Sequence, residues 1–477
     1  MLDGRVCSRD DQLERSPGSA GGETAAGSRV GEGRRGAGGY DSSVTRRPEG
    51  RLAQGPSSDF AGRRRHSAPR PVRGAGDFLR SVRLAAASNL LIHVVGSGTG
   101  LALAYVLAPT GRGEYAAVMA WTGSFALLGA LGLTTSICFF VASDAERAPQ
   151  YFETAKRLLL ALGVASGVIG LLITPWLDGG RESLRNAYLV GFAALPLVFL
   201  NGSWVFGLQA SDLRSWARVR MVYPLAYAAA LVVLYVVEQL TVITALLAIA
   251  GAGIVQGVVA RRSWRRIHPE LGEFVRAHTG PLVRYGWPNV VATMPHLVNT
   301  RLDQVALSLL VPLSDLGTYA VAVSLSLLAF PITSAFGNVA LPRIARQRQN
   351  RPDDARATVR AAVFGTAVAG TVIASGVAAA VGPLISLAPT YSGVPRLTYV
   401  LIPGAVMLGL NQVLSDILRG YDQALLVARA EGAAALVTVA LFVALVPSLG
   451  VMGAAISSTA SYTTAFALLL LAAARLR

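Results

Sequence analysis

The chain is poor in the residues that build water-soluble chemistry. Its two cysteines, Cys7 and Cys138, make neither a disulfide framework nor a metal set. Cys138 lies in an apolar stretch, where packing accounts for it. Lys156 is the one lysine in a chain whose 43 Lys and Arg residues are otherwise all arginine. Charged residues make up only 15% of the sequence, where a soluble domain carries about 25%, so an ordinary soluble enzyme is excluded. No Gly-x-x-x-x-Gly-Lys-Ser/Thr run is present, which removes an intrinsic ATP drive. His, Cys and carboxylates nowhere fall at metal-ligand spacing, so neither metal nor cofactor is expected. No apolar h-region precedes a cleavage motif, so no signal peptide is expected. The chain is therefore not expected to be an enzyme.

Apolar length is what the chain has in quantity. It is 53% hydrophobic, with a mean hydropathy of +0.49. A bilayer core needs roughly 20 apolar residues per helical span, and about twelve stretches of that length run between Val82 and Ala474. The first half predicts Val82–Leu107, Tyr115–Ala142, Leu158–Leu177, Ala187–Leu208, Val219–Val237 and Leu240–Val259. The second half predicts Leu282–Val311, Tyr319–Leu341, Val359–Leu387, Leu397–Leu418, Leu425–Val446 and Val451–Ala473.

Arginine crowds every second connection. Arg147, Lys156 and Arg157, then Arg214, Arg218 and Arg220, then the central run from Arg261 to Arg284, lie on one side. Arg343 to Arg360, Arg419 and Arg429 continue the series. The other side offers only Arg112, Arg181, Arg185 and Arg396. This bias is about fivefold, and basic residues stay in cytoplasmic loops. The reading is a multi-pass protein of the cell inner (cytoplasmic) membrane with both termini cytoplasmic. The net charge of +16 sits mostly in those loops and the N-terminal tail, so it implies no nucleic acid partner. Residues 1–76 read as a disordered Arg/Gly-rich cytoplasmic tail, because runs such as Gly31-Glu32-Gly33-Arg34-Arg35-Gly36 cannot bury enough surface to order themselves. Residues 77–260 read as one six-helix bundle, 261–281 as a basic linker and 282–477 as a second bundle.

The two bundles repeat each other. His93 precedes Pro109 by 16 residues, and His296 precedes Pro312 by the same 16. Gly113-Glu114-Tyr115-Ala116 follows the first proline and Gly317-Thr318-Tyr319-Ala320 the second. Further on, Leu200-Asn201, Leu208 and Asp212 match Leu410-Asn411, Leu418 and Asp422 at one constant offset. Six spans per unit turn both halves the same way. The expected fold is an all-α polytopic membrane protein of about 12 transmembrane helices, in two parallel six-helix repeats around a central cavity.

Leu107-Ala108-Pro109-Thr110-Gly111-Arg112-Gly113-Glu114-Tyr115 resembles the element that follows the first helix of polysaccharide flippases. Arg301-Leu302-Asp303-Gln304 and Leu316-Gly317-Thr318-Tyr319-Ala320-Val321-Ala322 are similar to their seventh and eighth helices. Pro342-Arg343-Ile344-Ala345 is like the short element that closes the eighth. The resemblance runs from Leu79 to Ala474. It implies the multidrug/oligosaccharidyl-lipid/polysaccharide (MOP) flippase superfamily and, within it, the O-antigen and exopolysaccharide translocase branch. Such proteins are expected to move undecaprenyl-diphosphate-linked glycans between leaflets, in contact with membrane lipids and with polysaccharide polymerase machinery as a partner.

Charge inside a span is costly and normally faces the bundle interior or a wet cavity. On the seventh helix Asn289, His296, Asn299 and Asp303 fall within about 80° of arc, a polar stripe. The first helix has a parallel stripe in Asn89, His93, Gly96 and Gly100. Both are expected to face the cavity. Arg301, about 15 Å inside its helix end, is the expected diphosphate ligand, since a guanidinium binds phosphate oxygens bidentately. A structural ion pair is the competing role. Asn299, Asn89, Asn201 and Asn411 are further substrate-binding candidates, with interhelical hydrogen bonding as their alternative. Asp303, His296 and His93 are ion-coupling candidates. Asp416 and Arg419 are candidates for a cytoplasmic gate. The competing functions are a cation-coupled multidrug antiporter and a lipid II flippase of the same fold.

Overall fold

In the computed structural model the described residues are 75–475 apart from 271, 338–339, 341–343, 345–351, 387–388 and 422. The expected tail and the Pro342–Ala345 element thus fall largely or wholly outside the described residues. Among the described residues there is no strand. The helices are α1 (Ala75–Gly129), α2 (Leu133–Ser143), α3 (Ala148–Leu177), α4 (Glu182–Ala193), α5 (Leu195–Ser211), α6 (Leu213–Val236) and α7 (Val242–Ile267). They continue as α8 (Arg276–Leu310), α9 (Leu313–Ser326), α10 (Pro352–Ser386), α11 (Val394–Gly420), α12 (Ala424–Leu449) and α13 (Val451–Ala474).

Ten of the helical stretches are long and apolar enough to cross a membrane. The first of these runs 43 residues, Ala87–Gly129. At 1.5 Å per residue it would be about 65 Å long, twice the roughly 30 Å hydrocarbon core. It is divided by Ala108, whose φ of 55° and ψ of 175° leave the helical region. The next residue, Pro109, disfavours helix in its predecessor and has no N–H to give. One helix is therefore two crossings. α8 adds another: its 35 residues are long enough, and its polar side chains keep it out of the purely apolar set. Among the described residues this makes twelve helical stretches long enough to cross, six in each half, the number expected. A second break, at Leu131 (φ 47°) and Gly132 (φ 69°), separates α1 from α2 inside the second crossing.

The helix ends follow the chemistry of the connections. Asp212 caps α6, its carboxylate oxygens accepting from the N–H groups of Arg214 (3.0 Å) and Ser215 (3.2 Å). Thr241 and Thr244 form a reciprocal capping box at the start of α7. At the start of α8, Val275 N–H donates to Thr154 Oγ1 at 3.0 Å, and the His278 ring lies 4.1 Å from that of Tyr151, tilted against it. The linker is thereby laid against the start of α3.

Repeat symmetry is visible in the packing. Asn201 on α5 donates through Nδ2 to Gly253 O on α7 at 2.7 Å. Its counterpart Asn411 on α11 donates to Tyr462 O on α13 at 2.9 Å. Gly113 and Gly317, equivalent in the two halves, press backbone to backbone where α1 meets α9; a Cβ on either would run into the other's helix. This contact joins the halves at the arginine-poor end. Toward the arginine-rich end α2 meets α8, where Ser136 Oγ donates to Leu282 O at 2.7 Å and Gly132 abuts Gly286.

α8 serves both halves. Its beginning packs on α2 and α3 and its end on α12 and α13. Pro281, Pro288 and Pro295 recur every seventh residue along it. Seven residues return to within about 20° of the same face, so the bends that proline imposes add rather than cancel.

Candidate functional site

Residues of α8 at four-residue spacing, Asn289, Thr293, Leu297 and Arg301, share one face and line a cavity of about 440 Å³. The facing wall includes Gly123 and Leu127 of α1, Thr134 of α2, and Phe199, Gly202 and Phe206 of α5. The cavity thus lies between the two halves. Its volume falls within the roughly 300–1,000 Å³ of small-molecule sites. Arg301 is exposed to it and, among the described residues, is the one charged group on its wall. None of the described residues accepts a hydrogen bond from its guanidinium. Asp303, two residues along, lies within its electrostatic reach but is tied to Tyr319 and Gln304, so the guanidinium keeps its donors free for an anion.

The polar stripe of this helix is divided rather than continuous. Asn289 and Arg301 face the cavity, whereas Asn299 and Asp303 turn into the second half. Asp303 is buried; its Oδ2 accepts from the Tyr319 hydroxyl at 2.6 Å and its Oδ1 from Gln304 N–H at 2.7 Å. Asn299 donates to Glu431 Oε2 at 2.9 Å and accepts from the Thr438 hydroxyl at 2.9 Å. The Tyr462 hydroxyl donates to Asn299 O at 3.1 Å. His296, half exposed, places Nδ1 3.8 Å from Glu431 Oε1. The physical cause is angular. Arg301 and Asn299 are about 200° apart on a helical wheel, and a bent helix packed on both halves gives each face a different neighbour.

Glu431 was not among the residues singled out by sequence. It follows Arg429 near the start of α12, where an acid reads as part of the membrane interface. The signal was an acid one turn inside an apolar run.

Asn89 and His93 sit on the side of α1 that meets α6 and the second half. Asn89 Oδ1 accepts from Arg220 Nη1 at 2.8 Å. The His93 ring meets Phe330 edge-on at 6.4 Å. Arg220, expected in a connection, lies inside α6, because Asp212 starts that helix six residues before the expected span. Its guanidinium stacks on Trp216 at 4.4 Å.

Asn201 and Asn411 are buried between helices, as described, and neither lines the cavity. Asp416 is buried against the Gly337 backbone and accepts from Gln412 Nε2 (3.1 Å) and Arg419 Nη1 (3.3 Å). Arg419 is half exposed beside it. Arg112, expected on a connection, is instead buried in the α1 bend, 5.3 Å over the Tyr115 ring. Nearby, the Tyr391 hydroxyl reaches across from the second half to donate to Ala104 O at 2.7 Å. Burial pushes that phenol up to about 12, which keeps it a donor at neutral pH.

A family model described as polysaccharide biosynthesis protein matches residues 78–348, more than half of the chain. The chain belongs to the polysaccharide biosynthesis protein family. No curated protein matches it in sequence. Among solved structures, this family member is similar to the lipid II flippase MurJ in an inward closed conformation, with a TM-score of 0.67 at 13% identity, covering 83% of this chain and 87% of that one. It is also similar to an inward-facing MATE family multidrug resistance transporter of the MOP superfamily, with a TM-score of 0.62 at 13% identity and coverage of 83% and 94%. The eukaryotic MATE transporter AtDTX14 gives 0.60 at 15% identity, with coverage of 83% and 96%. At these identities the structures establish a shared fold. The chain is thus a member of the polysaccharide biosynthesis protein family with the fold that these transporters share.

Proposed function

We propose that this member of the polysaccharide biosynthesis family is a flippase. Its cargo is an undecaprenyl-diphosphate-linked oligosaccharide, a surface-polysaccharide precursor, moved from the inner to the outer leaflet of the cytoplasmic membrane. The observation that carries this reading is Arg301, a cation on the wall of the inter-half cavity whose guanidinium makes no hydrogen bond or ion pair among the described residues. A diphosphate supplies the missing negative charge, and the guanidinium can grip it with two parallel hydrogen bonds. The glycan occupies the cleft while the polyprenyl chain stays in lipid.

The arginine bias supports an orientation with both termini cytoplasmic. In that orientation the Gly113–Gly317 contact closes the outer end. The halves rock about such contacts, opening alternately to each side. Coupling is read onto the second half, where His296 approaches Glu431 and Asn299 at the edge of a hydrogen-bonded network. A proton or cation held there would bias the packing of α8 against α12. Asp303, tied to Tyr319, holds α8 to α9 in the same network.

A cation-coupled drug antiporter of this fold would want an acid on the cavity wall, where Arg301 stands instead. A lipid II flippase, like the MurJ relative in fold, remains a narrower version of the same chemistry.

The test is translocation in proteoliposomes. Wild-type protein should move a fluorescent undecaprenyl-diphosphate oligosaccharide across the bilayer, and Arg301→Ala should slow it at least tenfold. Charge-assisted hydrogen bonds of about 1.5–3 kcal/mol set that scale. Equal rates for the two proteins would remove the reading.

A further inference from the structure

The fifth crossings of the two halves carry opposite charges at matching heights. Arg220 is the eighth residue of α6, which starts at Leu213, and Glu431 is the eighth residue of α12, which starts at Ala424. Each faces the first helix of its own half. In the second half Glu431 meets Asn299 at 2.9 Å and His296 at 3.8 Å. In the first half Arg220 meets Asn89 at 2.8 Å, and His93, the counterpart of His296, lies within its field.

The two sites differ in how their charge is met. Glu431 has a titratable histidine and an amide donor. Arg220 has no carboxylate among the described residues. Asn89 takes one of its five N–H donors and the Trp216 ring covers one face of the fork. The remaining donors have no acceptor among the described residues. Further along the stripe of α1 that carries Asn89 and His93, a Cβ added to Gly96 would meet nothing within 4 Å. A half-buried guanidinium, oriented by one hydrogen bond and one ring, has the geometry that grips a planar pair of phosphate oxygens.

We propose that Arg220, oriented by Asn89 and Trp216 and flanked by His93, is a second anion-binding subsite that takes a diphosphate, separate from Arg301. That the diphosphate is carried on a polyprenyl lipid rests on the flippase reading; the anion site itself does not. Arg220 lies between α1 and α6, and Arg301 lies on the cavity wall formed with α2 and α5. The two cations are therefore separate contacts, Arg220 against the first crossing of α1 and Arg301 in the cavity lined by the second.

The test is equilibrium binding of two probes, inorganic diphosphate and geranylgeranyl diphosphate, to the full-length protein in detergent. Both should bind wild type, the prenylated one more tightly. In an Arg301→Ala background, which removes the other proposed site, Arg220→Gln should weaken both about tenfold or more, Arg220→Lys less, since it keeps the charge and loses the fork. Asn89→Leu leaves Arg220 and Trp216 in place and should weaken both a few-fold; it serves as the deciding variant if Arg220→Gln does not yield monodisperse protein. If both probes bind Arg220→Gln or, in that case, Asn89→Leu in this background as they bind Arg301→Ala alone, the proposal is overturned. It is likewise overturned if wild type or Arg301→Ala binds neither probe. If binding depends on Arg220 but the two probes bind equally, the anion site stands and the lipid reading falls.

Discussion

Arg220 and Glu431 are each the eighth residue of the fifth crossing in their half, and they carry opposite charges. Their frames are alike: the equivalent histidines His93 and His296 stand on the facing helix of each half, and the equivalent asparagines Asn201 and Asn411 clamp the helix that follows. The two halves thus hold similar cages, one with an arginine and the other with a glutamate facing its first helix. Such a pair suits a carrier that must hold an anionic head group and respond to a cation.

The His296–Glu431 pair is expected to set how transport responds to protons. Glu431 accepts from Asn299 and stands 3.8 Å from His296. Replacing Glu431 by Gln removes the acid of the pair and should flatten the dependence of the translocation rate on pH, while diphosphate binding persists. Rates measured in proteoliposomes at stepped pH test this; an unchanged profile would remove the pair from coupling.

The contact between Gly113 and Gly317 admits no side chain. Valine at either position must push the helices apart, and overpacking of this kind costs about 1–3 kcal/mol. Gly113→Val and Gly317→Val should both open the arginine-poor end. Labelling of a cysteine introduced beside the contact should accelerate in either variant, and a cysteine at the opposite end should become less reactive.

Asn201 and Asn411 should behave as a matched pair. Each ties two helices through a carbonyl that has few alternatives in an apolar setting. Such interhelical bonds contribute about 0.6–2 kcal/mol in membranes. Asn201→Ala and Asn411→Ala should lower the thermal midpoint by similar amounts. A large drop for one and none for the other would contradict the equivalence of the repeats.

Asp178 closes the turn after α3. Its carboxylate accepts from Gly180 N–H at 2.7 Å and from Arg185 Nε at 2.9 Å. The Gly180 bond, with Arg185 and Arg181 beside it, holds the carboxyl below the usual aspartate value. A depressed carboxylate stabilises the fold above its unfolded value of about 4 and loses that contribution as pH falls through the lower folded value. Asp178→Asn should therefore lower the thermal midpoint at pH 7, and the gap from wild type should shrink below about pH 4. A gap independent of pH would contradict this.

The crossings were legible because a bilayer demands long apolar runs, and Pro109 marked the bend that splits α1. The break at Leu131 left no such mark: a leucine with positive φ is imposed by the close approach of Gly132 to Gly286, a tertiary cause. Arg301 was legible as an isolated charge deep in a span. Arg220 was not, because the hydropathy of α6 rises only after Val219, although the capping aspartate Asp212 already marked an earlier start. The stripe on α8 was legible as polarity but not as partition, since which face meets which half depends on packing and on the proline bends. Asn201 and Asn411 illustrate the same limit. Their repeat relation was readable, while their burial between helices required the fold.

The most direct test is the lipid content of a strain lacking this protein. Polyprenyl-diphosphate glycans should accumulate and surface polysaccharide should fall, with both restored by the wild-type chain and not by Arg301→Ala. If no lipid-linked glycan accumulates, or if Arg301→Ala restores export as well as wild type does, the cavity is not the path of an anionic lipid head group.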